Sequence, residues 1–240
     1  GVLLAEGVGV KEDDTKALEL FQNACEKGNI WGCSNLGSLY RSGEGAKKDP
    51  EKAVELFTRA CHRDDSFGCR NLGTMYKNGE GVKKDSEKAV ELFTLSCKEG
   101  NMSGCNSMSW MYQYGEGVEK NSQKAIELYN RVCENGNVLG CNNLGVMYAK
   151  GEGIGENSEK AVELYRRACE GGEMLGCKNL GWMYEMGTGT EKDLQKAVEL
   201  YTRACDGGEM LGCNNLGILY QHGNGVEKDL KKATDLYLKT

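Results

Sequence analysis

Cys33, Leu36, Gly37 and Tyr40 fall at i, i+3, i+4 and i+7, the spacing that lines one face of a helix. Ala53, Val54, Phe57, Ala60 and Cys61 show the same helical spacing further on. The pattern predicts two short helices. The first closes at Gly43-Glu44-Gly45, where a glycine just past the last turn can take the left-handed conformation that ends a helix. The second opens at Asp49-Pro50, with a carboxylate for the exposed N–H groups and proline at the first helical position.

This pair recurs along the whole chain. Cysteines stand at 25, 33, 61, 69, 97, 105, 133, 141, 169, 177, 205 and 213, so gaps of 8 and 28 alternate and the period is 36 residues. Leu36-Gly37-Ser38-Leu39-Tyr40, Leu72-Gly73-Thr74-Met75-Tyr76 and Leu216-Gly217-Ile218-Leu219-Tyr220 stack on that period. The cap position reads Asp49, Asp85, Asn121, Asn157, Asp193 and Asp229. Asp and Asn interchange there, so the position needs a hydrogen-bond acceptor rather than a charge. A period of this length means an all-α, α/α solenoid of helix-turn-helix repeats, each burying its apolar face on its neighbours. The 240 residues make about six and two-thirds repeats, read as one continuous solenoid over 1–240. Gly1-Val2-Leu3-Leu4 aligns with Gly37-Ser38-Leu39-Tyr40 and Thr240 with Ala204, so the expectation is a segment of a longer array with a partial repeat at each end.

Composition fits this picture. Hydrophobic residues are 39% and charged ones 28%, a globular balance, and no apolar run approaches the ~18 residues of a membrane span. The net charge of −6 argues against a nucleic-acid surface or an anionic membrane as partner. The 34 glycines are explained by helix ends and turns.

The cysteines are the first candidates for chemistry. On one straight helix Cys25 and Cys33 would lie ~12 Å apart, beyond disulfide reach, so the chain must turn back at Lys27-Gly28-Asn29. The leading reading pairs Cys25–Cys33, Cys61–Cys69, Cys97–Cys105, Cys133–Cys141, Cys169–Cys177 and Cys205–Cys213, each bridge stapling adjacent repeats. A nine-residue closed loop is worth about 2.5 kcal/mol in the chain-entropy picture. Free buried thiols and a metal site are the competing readings. Zinc pairs are usually two to four residues apart, and only His62 and His222 could assist. Disulfides imply an oxidising compartment, secreted, extracellular or periplasmic.

The run Leu-Gly-x-x-Tyr-x-x-Gly-x-Gly-Val-x-x-Asp-x-x-Lys-Ala-x-x-Leu-Tyr-x-x-Ala-Cys, with close variants from Leu72 to Cys97 and from Leu144 to Cys169, resembles the Sel-one-like repeat family, relatives of tetratricopeptide repeats. The paired cysteines make it similar to the disulfide-bridged subgroup, the Helicobacter cysteine-rich proteins. The resemblance covers the entire chain. It implies a curved superhelix, secretion, and adaptor roles toward protein partners, with penicillin binding and weak β-lactamase activity in some members. One unit departs, with Ser107-Met108-Ser109 in place of Asn-Leu-Gly.

Catalytic motifs are missing from the sequence. The Gly-x-Gly pairs follow no strand and recur with the structural period, so they are helix stops rather than phosphate loops. No Ser-x-x-Lys, Ser-Asp-Asn or internal Lys-Thr-Gly occurs, and His62 and His222 read as isolated helix ends. The expectation is no catalysis, no cofactor and no metal. Asn101-Met102-Ser103 is an N-glycosylation sequon, with a plain turn as the alternative.

Partner recognition is the more promising function, because repeats hold a scaffold constant while varying exposed positions. Reading position 38 through the units gives Ser38, Thr74, Trp110, Val146, Trp182 and Ile218. With Tyr114 and Met186 these form the candidate binding face Trp110, Tyr114, Val146, Trp182, Met186 and Ile218, expected on the concave surface for a protein or peptide partner. Packing between repeats is the competing role. Trp31, Phe67, Leu139, Leu175 and Leu211, two residues before each cysteine, read as inter-repeat core. The leading function is thus a secreted binding scaffold. Its rivals are a building block of an extracellular fibre, associating with itself end to end, and, by resemblance only, a weak penicillin-binding or β-lactamase activity.

Overall fold

The computed structural model describes residues 14–239. These form thirteen α-helices and, among the described residues, no strand: α1 (Asp14–Glu26), α2 (Ile30–Ser42), α3 (Pro50–Cys61), α4 (Ser66–Asn78), α5 (Ser86–Lys98), α6 (Met102–Tyr114), α7 (Ser122–Glu134), α8 (Val138–Lys150), α9 (Ser158–Glu170), α10 (Met174–Met186), α11 (Leu194–Asp206), α12 (Met210–His222) and α13 (Leu230–Tyr237). Even-numbered helices are the first of each repeat and odd-numbered ones the second. Gly1-Val2-Leu3-Leu4 and Thr240, on which the expected partial repeats rest, lie outside the described residues. The chain divides between Asn121 and Ser122 into two compact units, one holding α1–α6 and the other α7–α13. In each, every helix packs on the next in sequence, the connectivity of an α/α solenoid.

Helix ends follow from local chemistry. Asp49, Asp85, Asn157, Asp193 and Asp229 each accept a hydrogen bond from the backbone N–H three residues on, which caps the second helices. The first helices are capped the same way by Asn29, Asp65, Asn101 and Asn137. They stop where Gly79 and its equivalents enter the left-handed region, at φ 72° for Gly79, a conformation costly for any residue with a Cβ.

In the first unit Phe21, Leu36 and Leu39 pack with Ala17, and Phe57, Leu72 and Met75 pack with Ala53. In the second, Tyr201, Leu216, Leu219 and Leu236 do the same with Ala197. Close approach is set by the glycine of the Leu-Gly pair. A Cβ on Gly73 would stand 2.8 Å from Phe93 Cε1, so the aromatic ring lies directly on the helix backbone. Gly181 seats Tyr201 identically. In the departing repeat the equivalent Ser109 is fully buried, and its hydroxyl donates to the Cys105 carbonyl of its own helix at 2.7 Å.

The six bridges close between the end of a second helix and the start of the next first helix: Cys25–Cys33, Cys61–Cys69, Cys97–Cys105, Cys133–Cys141, Cys169–Cys177 and Cys205–Cys213. Each spans a tight turn, with Cα atoms 4.5 to 4.6 Å apart, and all twelve sulfurs belong to buried residues. No cysteine is free. The pairing is that of the leading sequence reading.

Candidate functional site

The first helices leave one face exposed, and the two units present different chemistry there.

In the first unit Lys77 of α4 sets its Nζ 3.4 Å from the centroid of the Trp110 ring on α6, and Tyr114 stacks on the same ring at 4.7 Å. Burial holds the Lys77 ammonium below the usual lysine range, with Glu116 working the other way. Trp110 is therefore half-buried and held, while Tyr114 is exposed. One repeat earlier lies a cavity of about 670 Å³ lined by α2 and α4, with Trp31, Ser38, Arg41, Phe67, Arg70 and Glu80 on its walls. Arg41 Nε donates to Glu80 Oε2 at 2.8 Å, and this bond holds the Glu80 carboxyl below the ordinary carboxylate range.

In the second unit Trp182 and Met186 lie on α10 and Ile218 on α12, two helices that touch. Their exposures are 46%, 56% and 38%, whereas Val146 on α8 is partly buried. Behind this face Tyr201 donates its hydroxyl to Glu185 Oε2 at 2.7 Å, and Asn179 donates to the buried Asn142 at 2.9 Å. Burial first and the Glu185 carboxylate second push the Tyr201 phenol far above its ordinary value, and burial pushes Tyr165 up to about 12. These groups serve the packing beneath the face. Among the described residues no cluster of His, Cys, Asp and Glu could hold a metal ion, and no helix is long and apolar enough to cross a membrane.

The repeated sequence pattern decides the family. The model of the Sel1 repeat matches residues 1–29, 32–65, 66–101, 103–137, 138–173, 175–209 and 211–240. The chain belongs to the Sel1 repeat family. A protective antigen of uropathogenic Escherichia coli strains displaying an SLR fold is 32% identical, with a TM-score of 0.78 over 99% of this chain and 51% of its own. The present chain thus spans about half of that antigen's length. A Sel1 repeat protein from Oxalobacter formigenes shares the fold with a TM-score of 0.84 at 23% identity, covering 95% of this chain and 96% of its own. Helicobacter pylori cysteine rich protein B is 31% identical over 57% of this chain and 99% of its own, with a TM-score of 0.45. No curated protein matches.

One expectation for these Sel1 repeats is corrected. Trp31, Phe67, Leu139 and Leu211 are not inter-repeat core: they are 56%, 57%, 45% and 56% exposed, and Leu175 is only partly buried. The reason lies one residue along. Gly68 abuts Ala60 so closely that an added Cβ would come within 2.6 Å of the Ala60 Cβ, so glycine makes the contact between repeats. The preceding residue is turned ~100° round the helix, onto the uncovered face. Trp31 retains one edge contact, with Phe21 at 6.5 Å between ring centroids.

Asn101 of the sequon accepts from Gly104 N at 3.1 Å and caps α6. Arg41 lies at the polar rim of the predicted stripe, whereas Arg70 belongs to the neighbouring register of position 34. Position 34 gives Ser34, Arg70, Asn106, Asn142, Lys178 and Asn214, and the two cations stand out once that register is read.

Proposed function

We propose that this Sel1 repeat protein is a binding scaffold that works outside the reducing cytoplasm, in a secreted or periplasmic setting, and holds protein or peptide partners on the uncovered faces of its first helices. It acts by binding rather than catalysis. The observation that carries this reading is the exposure of Trp182, Met186 and Ile218 on adjoining first helices of one unit, where solvent alone would favour polar side chains. The bridges support the compartment, since disulfides persist where thiols are not kept reduced. Stapled turns also support preorganisation, which lowers the ordering cost of binding. Tandem repeat matches continue across the Asn121–Ser122 division in residues 103–137, which favours one uninterrupted array.

Peptides selected on the oxidised chain from a random displayed library provide the test. Trp182→Ala with Met186→Ala, at exposed positions, is expected to abolish binding of the selected peptides while thermal unfolding stays within about 1 kcal/mol of the parent. Unchanged peptide affinity with lost stability would assign these residues to packing and discard the reading.

A further inference from the structure

The cavity between α2 and α4 carries a charge its surroundings do not balance. Arg70 is half-buried, and its Nη1 donates to Asn71 Oδ1 at 2.6 Å, a neutral partner. Arg41 on the facing helix is bound to Glu80 through Nε and Nη2, which leaves its Nη1 edge for another acceptor. Lys48 also lines the cavity, so three cations face the single carboxylate of Glu80. Asp65 accepts from Ser34 and from Gly68 N through Oδ2 and does not line the cavity. Burial first and the Arg41 charge second disfavour the charged form of Arg70, so an anion brought to it would relieve both. In a chain whose net charge is −6, such a local excess is complementary to an anion.

The rest of the cavity wall specifies what carries that anion. Trp31 and Phe67, one repeat apart at the same register, both line the cavity and are 56% and 57% exposed. A small inorganic anion would leave both rings in water. An extended chain with an acidic side chain beside an apolar one would satisfy arginines and rings together.

We infer that this cavity is a recognition site for an extended peptide carrying an internal Asp or Glu next to a large apolar residue. Arg70 and Arg41 take the carboxylate, and Trp31 and Phe67 flank the apolar side chain. The inference rests on the binding reading above and gives it a sequence preference.

Isothermal titration of the intact, oxidised chain with acetylated, amidated heptapeptides Gly-Gly-X-Glu-Z-Gly-Gly tests it, X and Z being Leu, Phe or Trp and each peptide matched by its Gln counterpart. At least one Glu peptide is expected to bind with a Kd below about 100 μM, and its Gln partner about tenfold more weakly. Arg70→Gln is expected to bring the Glu peptide to the Gln level and leave the Gln peptide unchanged, with an unaltered unfolding midpoint. Arg70→Lys should restore part of the preference, and Trp31→Ala should weaken both peptides alike. Equal affinity for Glu and Gln peptides, or full discrimination in Arg70→Gln, overturns the inference, as does binding that requires a free terminal carboxylate or is reproduced by inorganic phosphate alone. If peptides bind without charge preference and are lost in the Trp182 and Met186 variant, this inference fails while the broader reading stands. Absence of any binding up to about 1 mM removes the site as drawn.

Discussion

The ammonium of Lys77 stands 3.4 Å from the centre of the Trp110 ring, joining the first helices of two successive repeats through a cation and an aromatic face. The lysine is partly desolvated, which strengthens such a contact relative to one in open water. Replacing Lys77 by Gln should lower stability by about 1 kcal/mol in urea unfolding and change the fluorescence of Trp110. In a Trp110→Leu background, which has no ring, the same replacement should cost little, so the double variant should unfold close to Trp110→Leu alone. An additive loss in that pair would show that the contact contributes nothing.

Gly73 tests how the repeats are spaced. Gly73→Ala places a methyl 2.8 Å from the Phe93 ring, so α4 and α5 must separate or the ring must leave its rotamer. A loss of about 1–3 kcal/mol is expected from overpacking. Phe93→Leu should recover part of it. Measured by denaturant unfolding, a neutral Gly73→Ala would mean the ring has room that the structure does not give it.

Removing one bridge isolates its contribution. Cys97→Ala with Cys105→Ala is expected to cost about 2–3 kcal/mol, because the nine-residue loop then regains its freedom in the unfolded chain. Non-reduced peptide mapping by mass spectrometry should meanwhile find every cysteine joined to the one eight positions away. A linkage to any cysteine other than the one eight positions away would contradict the structure.

The Arg41–Glu80 pair sets a pH dependence. The Glu80 carboxyl is held below its ordinary value of 4.5 by the Arg41 hydrogen bond. A depressed carboxylate favours the folded state fully above the unfolded value, and the contribution fades as pH falls through the folded one. The side chains are 30% and 37% exposed, so screening limits the effect to about 1 kcal/mol or less. Glu80→Gln should therefore be slightly less stable than the parent at pH 7, and the gap should close below about pH 4. A gap that persists at pH 2 would point to packing rather than charge.

Helix ends, caps and bridge partners could be read from the residues because each is decided within one period. Asp49 needs only Lys52 N, and Cys61 needs only a turn that brings Cys69 back. The exposure of Trp31 could not be read that way. It depends on Gly32 meeting Ala24 of the neighbouring helix, and a hydrophobic residue beside a cysteine looks the same in sequence whether it faces a partner helix or water. Arg70 was obscured for a different reason. A single arginine in a charged chain carries no signal until Arg41 and two aromatic rings are placed around the same cavity.

The short span of each bridge also bears on how the chain becomes oxidised. Twelve thiols could cross-link in many wrong ways if they all met at once. Here each native partner is the very next cysteine in the chain, eight positions away, so during synthesis from the N-terminus the right thiol is the first one within reach. A pair closed in this order is consumed before the following pair emerges. The spacing that holds the finished repeats together therefore also steers their oxidation, one turn at a time, and reduces the need for later reshuffling.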